Sequence, residues 1–514
     1  MSSIKKLAGE TIWYGGSSIA ARFLNYLLTP YLTAKLSGPG YGEMSLVYAA
    51  IPFLNVVFTY GLETAFFRFS QKEEHRKDIY STASISIFIS TAILSFLLFS
   101  GQNALTNFLK LNDHPEFIRY SIIIIALDTL TTLPFAKLRQ EGRPVKFAMV
   151  RISNILLTIG LTYFFISVCP KIVAHDPKGL IAHYYIKDYG VGYVILANVI
   201  ASAFTFLLLL KEFLTIRFRF NGALWRQMLI YSLPLLVAGF GGMINETFDR
   251  IMLGWWAPVK SVSAAKNEVG IYSACYKLSI LITLFIQAFR MGAEPFFFKQ
   301  AVGANPQRTY ARVMKFFVMT ITVMFLVVVL YLDIWKHFIR NKTFWDGLKV
   351  VPILLLANMF LGIYYNLSIW YKIIHKTMYG AWITIAGAVI TLAINAAFIP
   401  YYSYMACAWA TFFCYGSMMV MSFVWGQKHY RIPYAWKKLC AYIVIVVLLF
   451  FLHKGITGLY QNRYFSWGLA TLLLLIYCRF LTLVERSEFA KFPLIGKYFV
   501  DVQAAPQVPR DTGP

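Results

Sequence analysis

The sequence is poor in charged residues and lacks the short motifs that usually mark an enzyme. Only 14% of its 514 residues are charged, whereas about a quarter is usual in soluble domains. It has no HExxH pair, no phosphate-binding loop ending in Gly-Lys-Ser/Thr and no GxSxG turn. Because these motifs are missing, we predict no catalytic residues and no ATP hydrolysis within the chain.

Cysteine is also scarce, and its positions form no CxxC pair. Most of the cysteines fall inside or at the ends of apolar stretches, where cysteine packs as a small hydrophobic residue. This pattern predicts neither a disulfide framework nor a metal site, and we expect no cofactor. The six residues are Cys169, Cys275, Cys407, Cys414, Cys440 and Cys478.

Apolar residues, by contrast, are abundant: 58% of the chain is hydrophobic, 17% is aromatic, and the mean hydropathy is +0.59. This composition predicts a polytopic membrane protein. The formal net charge of +25 would suggest nucleic acid in a soluble protein. Here the basic residues lie in short loops between apolar stretches, so we expect anionic lipids and no nucleic acid as partners.

Apolar windows bounded by charged residues, Gly or Pro predict about 14 spans, each near the length of a membrane helix. The predicted fold is therefore all-α. The spans are 10–34, 44–67, 79–100, 117–136, 147–168, 190–210, 228–253, 269–298, 312–332, 350–371, 378–399, 402–425, 437–453 and 464–482.

The distribution of Lys and Arg predicts the orientation, because cytoplasmic loops carry an excess of these residues. If the N-terminus is cytoplasmic, the basic clusters at 68–77, 137–146, 211–226 and 428–438 all lie inside, together with the C-terminal tail. Both termini are therefore predicted to be cytoplasmic. The first span has polar residues and no clean cleavage site, which favours a retained helix over a signal peptide.

An internal repeat relates two parts of the chain. The second span ends with GLETAFFR (61–68) and the eighth with GAEPFFFK (292–299), so both read G-x-E-x-x-F-F-basic. An offset of six spans makes the repeats parallel, and we predict two pseudo-symmetric six-helix lobes facing a central cleft. Chance similarity between apolar segments is the alternative. The predicted divisions are 1–220, 221–430, two additional spans in 431–485 and a cytoplasmic tail at 486–514.

Ionisable residues inside the spans are the main functional signal, because charge at membrane depth is costly and normally faces a cavity. The stretch YSLPLLVAGFGGMINETFDRIMLG (231–254) is long enough to cross a bilayer, yet it holds Glu246, Asp249 and Arg250 on one helical face. Most such residues fall in spans 1, 2, 7 and 8, which the repeat places at the cleft.

Four basic residues are candidates for a cationic substrate site: Arg22, Arg250, Lys277 and Arg290. Arginine stays charged and presents a planar fork of donors that suits phosphate, so a pyrophosphate entering the cleft is a candidate ligand. Structural roles are the alternatives. Arg22 would then pair with Asp128 and Arg250 with Glu246, while Lys277 would extend to the outer interface.

The remaining charged positions are candidates for gating or ion coupling: Glu63, Arg68, Asp128, Glu246, Asp249, Glu294 and Lys299. One hypothesis is an inner gate in which Glu63 meets Lys299 and Glu294 meets Arg68 across the two-fold axis. Local caps on each helix are the alternative. Buried carboxylates can also carry protons or sodium, and the sequence leaves open whether transport is ion-coupled.

The longest predicted external loop, from about 170 to 190, contains Tyr184, Tyr185 and Tyr189. Such a loop can stack on sugars, but an interfacial aromatic belt is the simpler interpretation.

Two blocks of sequence resemble a known family. The opening stretch from WYGG to FFRF (13–69) is similar to the N-terminal third of Wzx-type polysaccharide exporters of the multidrug/oligosaccharidyl-lipid/polysaccharide superfamily. SLPLLVAGFGGMINETFDRIMLG (232–254) and NEVGIYSACYKLSILI (267–282) resemble the seventh and eighth spans of that family, including its Asp-Arg pair. The resemblance is looser after the eighth span.

The resemblance implies a 14-helix flippase that works by alternating access. Its substrate would be undecaprenyl-pyrophosphate-linked oligosaccharide, crossing the bacterial inner membrane, with Arg22 and the Asp249–Arg250 pair binding the anionic carrier. A polymerase or glycosyltransferases would be further partners. A cation-coupled multidrug or metabolite antiporter, a flippase for the lipid-linked peptidoglycan precursor, and a membrane-embedded glycosyltransferase or polymerase stay open as alternatives.

Overall fold

The structure is a computed structural model that describes residues 2–70, 78–217, 219–301, 305–460 and 462–489, without the side chains of 2–14, 487 and 489. All regular elements in these residues are helical, which confirms the predicted all-α fold. Thirteen helices in the described part are long and apolar enough to cross a membrane, and they match predicted spans 2 to 14. The chain is therefore a multi-pass membrane protein.

The helices follow the predicted spans closely, with short helices added at several ends. In chain order the first are α1 Ser2–Leu27, α2 Thr29–Lys35, α3 Gly38–Thr59, α4 Leu62–Phe69, α5 Ile79–Ser100, α6 Gln102–Phe108, α7 Glu116–Gln140, α8 Pro144–Tyr163, α9 Cys169–His175, α10 Leu180–Tyr184, α11 Gly190–Leu208 and α12 Leu210–Phe213.

The later helices begin with the two longest. They are α13 Gly222–Trp256, α14 Val262–Gln300, α15 Pro306–Val329, α16 Leu332–Trp335, α17 Val351–Leu367, α18 Ile369–Ile373, α19 Met378–Tyr402, α20 Tyr404–His429, α21 Trp436–Leu459, α22 Arg463–Val484 and α23 Arg486–Phe489. A π-helical turn (Phe164–Val168) joins α8 to α9, and two 3-10 segments (Lys336–Phe338 and Lys342–Val350) precede α17.

The predicted second span is broken in the structure. It ends as α3 at Thr59 and continues as α4, because Tyr60 and Gly61 adopt positive φ values of 34° and 70°. A Cβ atom at Gly61 would lie 3.1 Å from the main-chain oxygen of Ser232 in α13. Glycine tolerates this conformation and this close approach better than other residues. The backbone can therefore turn between α3 and α4 while it stays in contact with α13.

The chain divides into two compact units. The larger contains residues 1–311 and 334–433, and the smaller contains residues 312–333 and 434–514. Predicted spans 1–8 and 10–12 thus belong to the larger unit, while span 9 groups with spans 13 and 14. The lobe boundaries predicted from the repeat, at 220/221 and 430/431, stay a prediction.

A buried carboxylate, Glu485, joins the helices of the smaller unit. It is 2% exposed and accepts hydrogen bonds from Lys315 Nζ at 2.8 Å and from the Tyr442 hydroxyl at 2.7 Å. Burial raises the pKa of Glu485, but Lys315, Tyr442 and Lys438 lower it by more, so the pKa lies below its ordinary value. Ion-paired in this way, Glu485 connects the end of α22 to α15 and α21.

Within the larger unit, α3 and α14 cross at Gly42 and Gly270, which stand in similar local sequences, YGEMS (41–45) and VGIYS (269–273). A Cβ atom at Gly42 would overlap the main-chain oxygen of Lys266 and lie 3.2 Å from the Gly270 nitrogen. A Cβ atom at Gly270 would lie 3.2 Å from the Gly42 nitrogen. Small residues allow membrane helices to approach closely, so this crossing closes one end of the interface between the predicted lobes.

An ion pair lies beside the glycine crossing. Lys266, whose side chain is 3% exposed, contacts Glu43 at 2.8 Å and Asp113 at 3.1 Å. The charge bias predicts that this end of the helices lies outside the cell. Two predicted features lie outside the described residues: the basic residues at 71–77 and most of the tail from 490 onward, which the sequence places on the inner surface.

Candidate substrate cavity

Two adjoining cavities lie inside the larger unit. The central cavity, of about 350 Å³, is lined by side chains of α1, α2, α3, α8, α11, α13 and α14. The second, which we call the N-terminal pocket, measures about 490 Å³ and is lined from α1, α3, α4, α7, α8 and α11. Asn154 of α8 and Asn198 of α11 line both cavities, so the two adjoin at these amides.

The central cavity collects three of the charged residues predicted from sequence. Glu246 and Arg250 reach it from α13 and Lys277 from α14, beside Tyr48 and Tyr276. Two bases against one acid give this lining a positive balance. An aqueous cavity of this kind at membrane depth favours an anionic group.

Arg250 is held by neighbours other than the predicted one. Its Nη1 donates to the Asp249 carboxylate at 3.2 Å and to the main-chain oxygen of Glu246 at 2.9 Å. The guanidinium lies 4.5 Å from the ring centroid of Tyr276. Asp249 is 2% exposed and also accepts from the Tyr272 hydroxyl at 2.6 Å. The ion pair therefore forms with Asp249, and the Glu246 carboxylate pairs with no described residue.

Arg22 lies on α1 between two residues that line the two cavities. Ser18 lines the N-terminal pocket and Asn25 lines the central cavity. Arg22 is one turn from each on the same face of α1, and its charge acts on both Arg151 and Tyr365. It forms no ion pair with Asp128 or any other described residue, so its guanidinium is available to a ligand.

Lys277 also faces the central cavity. Its ammonium forms no hydrogen bond or ion pair with the described part of the chain, and the nearby charge that acts on it is that of Arg250.

Arg290, the fourth predicted base, lines a different and much smaller cavity of about 20 Å³. Its Nε lies 3.5 Å from Glu294, and its guanidinium lies 4.6 Å from the ring centroid of Tyr365. Arg290 therefore lies outside the central cavity and shares Glu294 with Lys372, while its own side chain is 46% exposed.

The two predicted gating glutamates each pair with a base from the same predicted lobe. Glu63 binds Arg139 of α7, and Glu294 binds Lys372 of α18. The two pairs occupy equivalent places in the repeat. Arg68 lies 4.2 Å from the ring centroid of Tyr231, and Lys299 is exposed and pairs with no described residue. In this conformation neither base meets the glutamate that the gate hypothesis assigned to it.

Asp128 lies in the N-terminal pocket beside a base that the sequence analysis overlooked. Its Oδ1 accepts a hydrogen bond from the Ser202 hydroxyl at 2.8 Å. Arg151 of α8 lines the same pocket, and its guanidinium lies 4.6 Å from the ring centroid of Phe135. The signal was present, because Arg151 falls inside an apolar predicted span just as Arg22 does. The same criterion does not select three other bases. Arg139 falls in the predicted cytoplasmic cluster 137–146, and Lys372 and Lys266 lie just outside predicted spans.

Two tyrosines of the predicted external loop pack on Tyr193 of α11. The rings of Tyr185 and Tyr193 stack with centroids 5.2 Å apart, and Tyr189 meets Tyr193 edge-on at 5.3 Å. Tyr184 is 73% exposed. Most of this aromatic surface is therefore used inside the cluster.

Comparison with solved structures defines the class of protein. The chain is similar to the lipid II flippase MurJ in its inward closed conformation, with a TM-score of 0.70, 13% identity, and coverage of 93% of this chain and 99% of that one. It is also similar to an outward-facing MATE-family multidrug resistance transporter of the MOP superfamily (TM-score 0.57, 12% identity, 84% and 96% coverage). The fold is therefore that of the MOP transporters.

Comparison of the sequence with family profiles shows which family the chain belongs to. The chain belongs to the polysaccharide biosynthesis protein family, whose profile matches residues 7–301. An uncharacterized membrane protein of Haemophilus influenzae is 19% identical over 395 residues, which cover 75% of this chain and 90% of that protein.

Proposed function

We propose that the protein is a flippase for undecaprenyl-pyrophosphate-linked oligosaccharide, such as a repeat unit of O-antigen, capsule or exopolysaccharide. It would act in the bacterial inner membrane with both termini in the cytoplasm. Polysaccharide polymerase and glycosyltransferases would supply or consume the lipid-linked glycan. Family membership and the MOP fold support a membrane transporter. The assignment of the substrate rests on the central cavity.

The observation that carries the proposal is that Arg250 and Lys277 line the central cavity, with Arg22 one turn of α1 away from Asn25, which also lines it. Arg22 and Lys277 have no ion-pair partner among the described residues, and Arg250 is only partly neutralised by Asp249. Unpaired bases at membrane depth are costly unless an anion or water compensates them. A pyrophosphate offers several charged oxygens to such a set, and guanidinium groups bind them with paired hydrogen bonds.

In a transporter that opens alternately to the two sides of the membrane, the glycine crossing would be the contact that closes the external side. With Gly42 against Gly270, the predicted external end is closed and the lipid carrier enters from the other side. Separation of α3 from α14 would release the glycan outside. No cofactor is needed; a proton or sodium gradient would drive the cycle, and Glu246 is the carboxylate that we propose for this coupling.

The test is flipping of a fluorescent undecaprenyl-pyrophosphate-linked oligosaccharide by the purified protein in liposomes. We expect Arg22→Ala, Arg250→Ala and Lys277→Ala each to reduce the rate about tenfold or more, since each removes a charge-assisted contact worth about 1.5–3 kcal/mol. Arg290→Ala is the matched control, because Arg290 lies outside the central cavity. Equal rates for the three variants and wild type would contradict the proposal.

A further inference from the structure

The N-terminal pocket is much larger than the cavity beside the equivalent glutamate–base pair in the other predicted lobe. The Glu63–Arg139 pair lines the pocket of about 490 Å³, whereas the equivalent Glu294–Lys372 pair lines the cavity of about 20 Å³. Aromatic residues, including Trp370 and Tyr371, fill the neighbouring interior on that side. Because protein interiors are normally close-packed, a polar space kept open in one of two related places calls for an occupant.

The lining of the pocket suits a neutral ligand rich in hydroxyl groups. Its charged side chains are two acids and two bases, so they carry no net charge. Two phenylalanines aside, the remaining lining side chains are hydroxyls or amides. This differs from the positive central cavity. A group with many hydroxyls and no charge fits such a lining, because it can donate and accept hydrogen bonds in turn.

Two charged groups in the pocket have unused hydrogen-bonding capacity. Asp128 Oδ1 accepts from Ser202, but Oδ2 accepts from no described residue. The Arg151 guanidinium lies over Phe135 and donates to no described residue. Carboxylates and guanidinium groups can each make paired hydrogen bonds, which matches adjacent hydroxyls on a sugar ring. A cation at Asp128 is less favourable, because the Arg151 charge acts on the same carboxylate.

The amides at the junction point to the same ligand. Asn154 donates to the Thr205 hydroxyl at 2.8 Å, and Asn198 donates to the Tyr48 hydroxyl at 3.2 Å. An amide side chain can make about four hydrogen bonds, so both retain an acceptor and a second donor where the pocket meets the central cavity.

We propose that the N-terminal pocket is a sugar subsite that binds the first sugar of the lipid-linked glycan. The inference rests on the proposed function. With the pyrophosphate on Arg22, Arg250 and Lys277, the sugar attached to it lies beside Asn154 and Asn198. Asp128 and Arg151 then bind its hydroxyl groups. The pocket would discriminate between glycans, whereas the central cavity would bind the carrier common to all of them.

Binding to purified full-length protein in nanodiscs tests this assignment. The probes are undecaprenyl pyrophosphate and the same lipid carrying one N-acetylglucosamine, one galactose or one glucose. We expect at least one glycosylated lipid to bind about tenfold more tightly than the bare lipid. Asp128→Asn and Arg151→Gln, which change residues that line the N-terminal pocket and not the central cavity, should each remove most of that ratio, by about tenfold, while the affinity for bare lipid stays within about twofold.

Two controls separate the inference from the proposed function. Asn366→Ala changes an amide that lines the small cavity in the other half, and it should leave the ratio unchanged. Arg250→Ala should weaken all four lipids equally. If the pocket variants change bare and glycosylated lipids alike, or no sugar improves binding, the sugar subsite is wrong. If bare lipid fails to bind or Arg250→Ala has no effect, the proposed function itself fails.

Discussion

The glycine crossing between α3 and α14 allows one conformational prediction to be worked out from geometry. In Gly42→Ala, the new methyl group would overlap the main-chain oxygen of Lys266. A main-chain atom cannot move aside as a flexible side chain can, so the two helices must separate. Overpacking of this kind costs about 1–3 kcal/mol, which shifts the equilibrium constant between the closed and the separated arrangement by about 5-fold to 150-fold.

A cysteine beside the crossing can report this shift. Ser273 lies close to Gly270 on α14 and lines the central cavity, and its hydroxyl has no hydrogen-bond partner in the described part of the structure. Ser273→Cys, in a background without the native cysteines, would be treated with a membrane-impermeant thiol reagent from the predicted external side. We expect Gly42→Ala to raise the rate of modification at least about fivefold.

The matched control lies on the same helix. A Cβ atom at Gly292 would meet no heavy atom within 4 Å, so Gly292→Ala should leave the modification rate unchanged. A modification rate in Gly42→Ala that equals the parent rate, in protein that is folded, would refute the idea that this contact holds the external end closed. A rise in both variants would point to general loosening of α14.

Two further predictions concern ion pairs at the predicted cytoplasmic side. Burial raises the pKa of Glu212, but its bonds to Lys146 at 2.8 Å and Arg143 at 3.0 Å lower it by more, to below the ordinary 4.5. The stabilisation is therefore complete at neutral pH and is lost as the pH falls below about 4.5. Thermal unfolding should show Glu212→Gln less stable than wild type by about 1–3 kcal/mol at pH 7, with the difference shrinking in acid; a constant difference would contradict it. For the second pair, Glu63→Lys and Arg139→Glu should each destabilise the protein, and the double variant should recover about 0.5–3 kcal/mol of the summed loss. Additive losses in thermal unfolding would show that the two side chains do not interact.

The number and limits of the membrane helices were predictable because they depend on local composition. A bilayer fixes the length of an apolar segment, and charged residues or Gly and Pro end it. The predicted span 79–100 coincides with α5, and 378–399 differs from α19 by three residues at one end. The break at Gly61 was missed because it depends on close contact with α13, which no local pattern encodes.

The candidate site was predictable in part. Intramembrane charge singled out Arg22, Arg250 and Lys277 before any contact was known, because such residues need a cavity. The same criterion would have found Arg151. It also included Arg290, which the tertiary structure places away from the central cavity with Glu294.

By itself, the sequence determined that this is an all-helical membrane protein, and it predicted two related halves and bases at membrane depth. Hydropathy, charge and an internal repeat can each be recognised from the order of residues along the chain. Only the tertiary structure decided which residues contact one another. Glu63 binds Arg139 across 76 positions of sequence, and Gly42 meets Gly270 because two helices cross there. Such contacts depend on helix packing angles and register, which are set by the whole bundle rather than by any one segment.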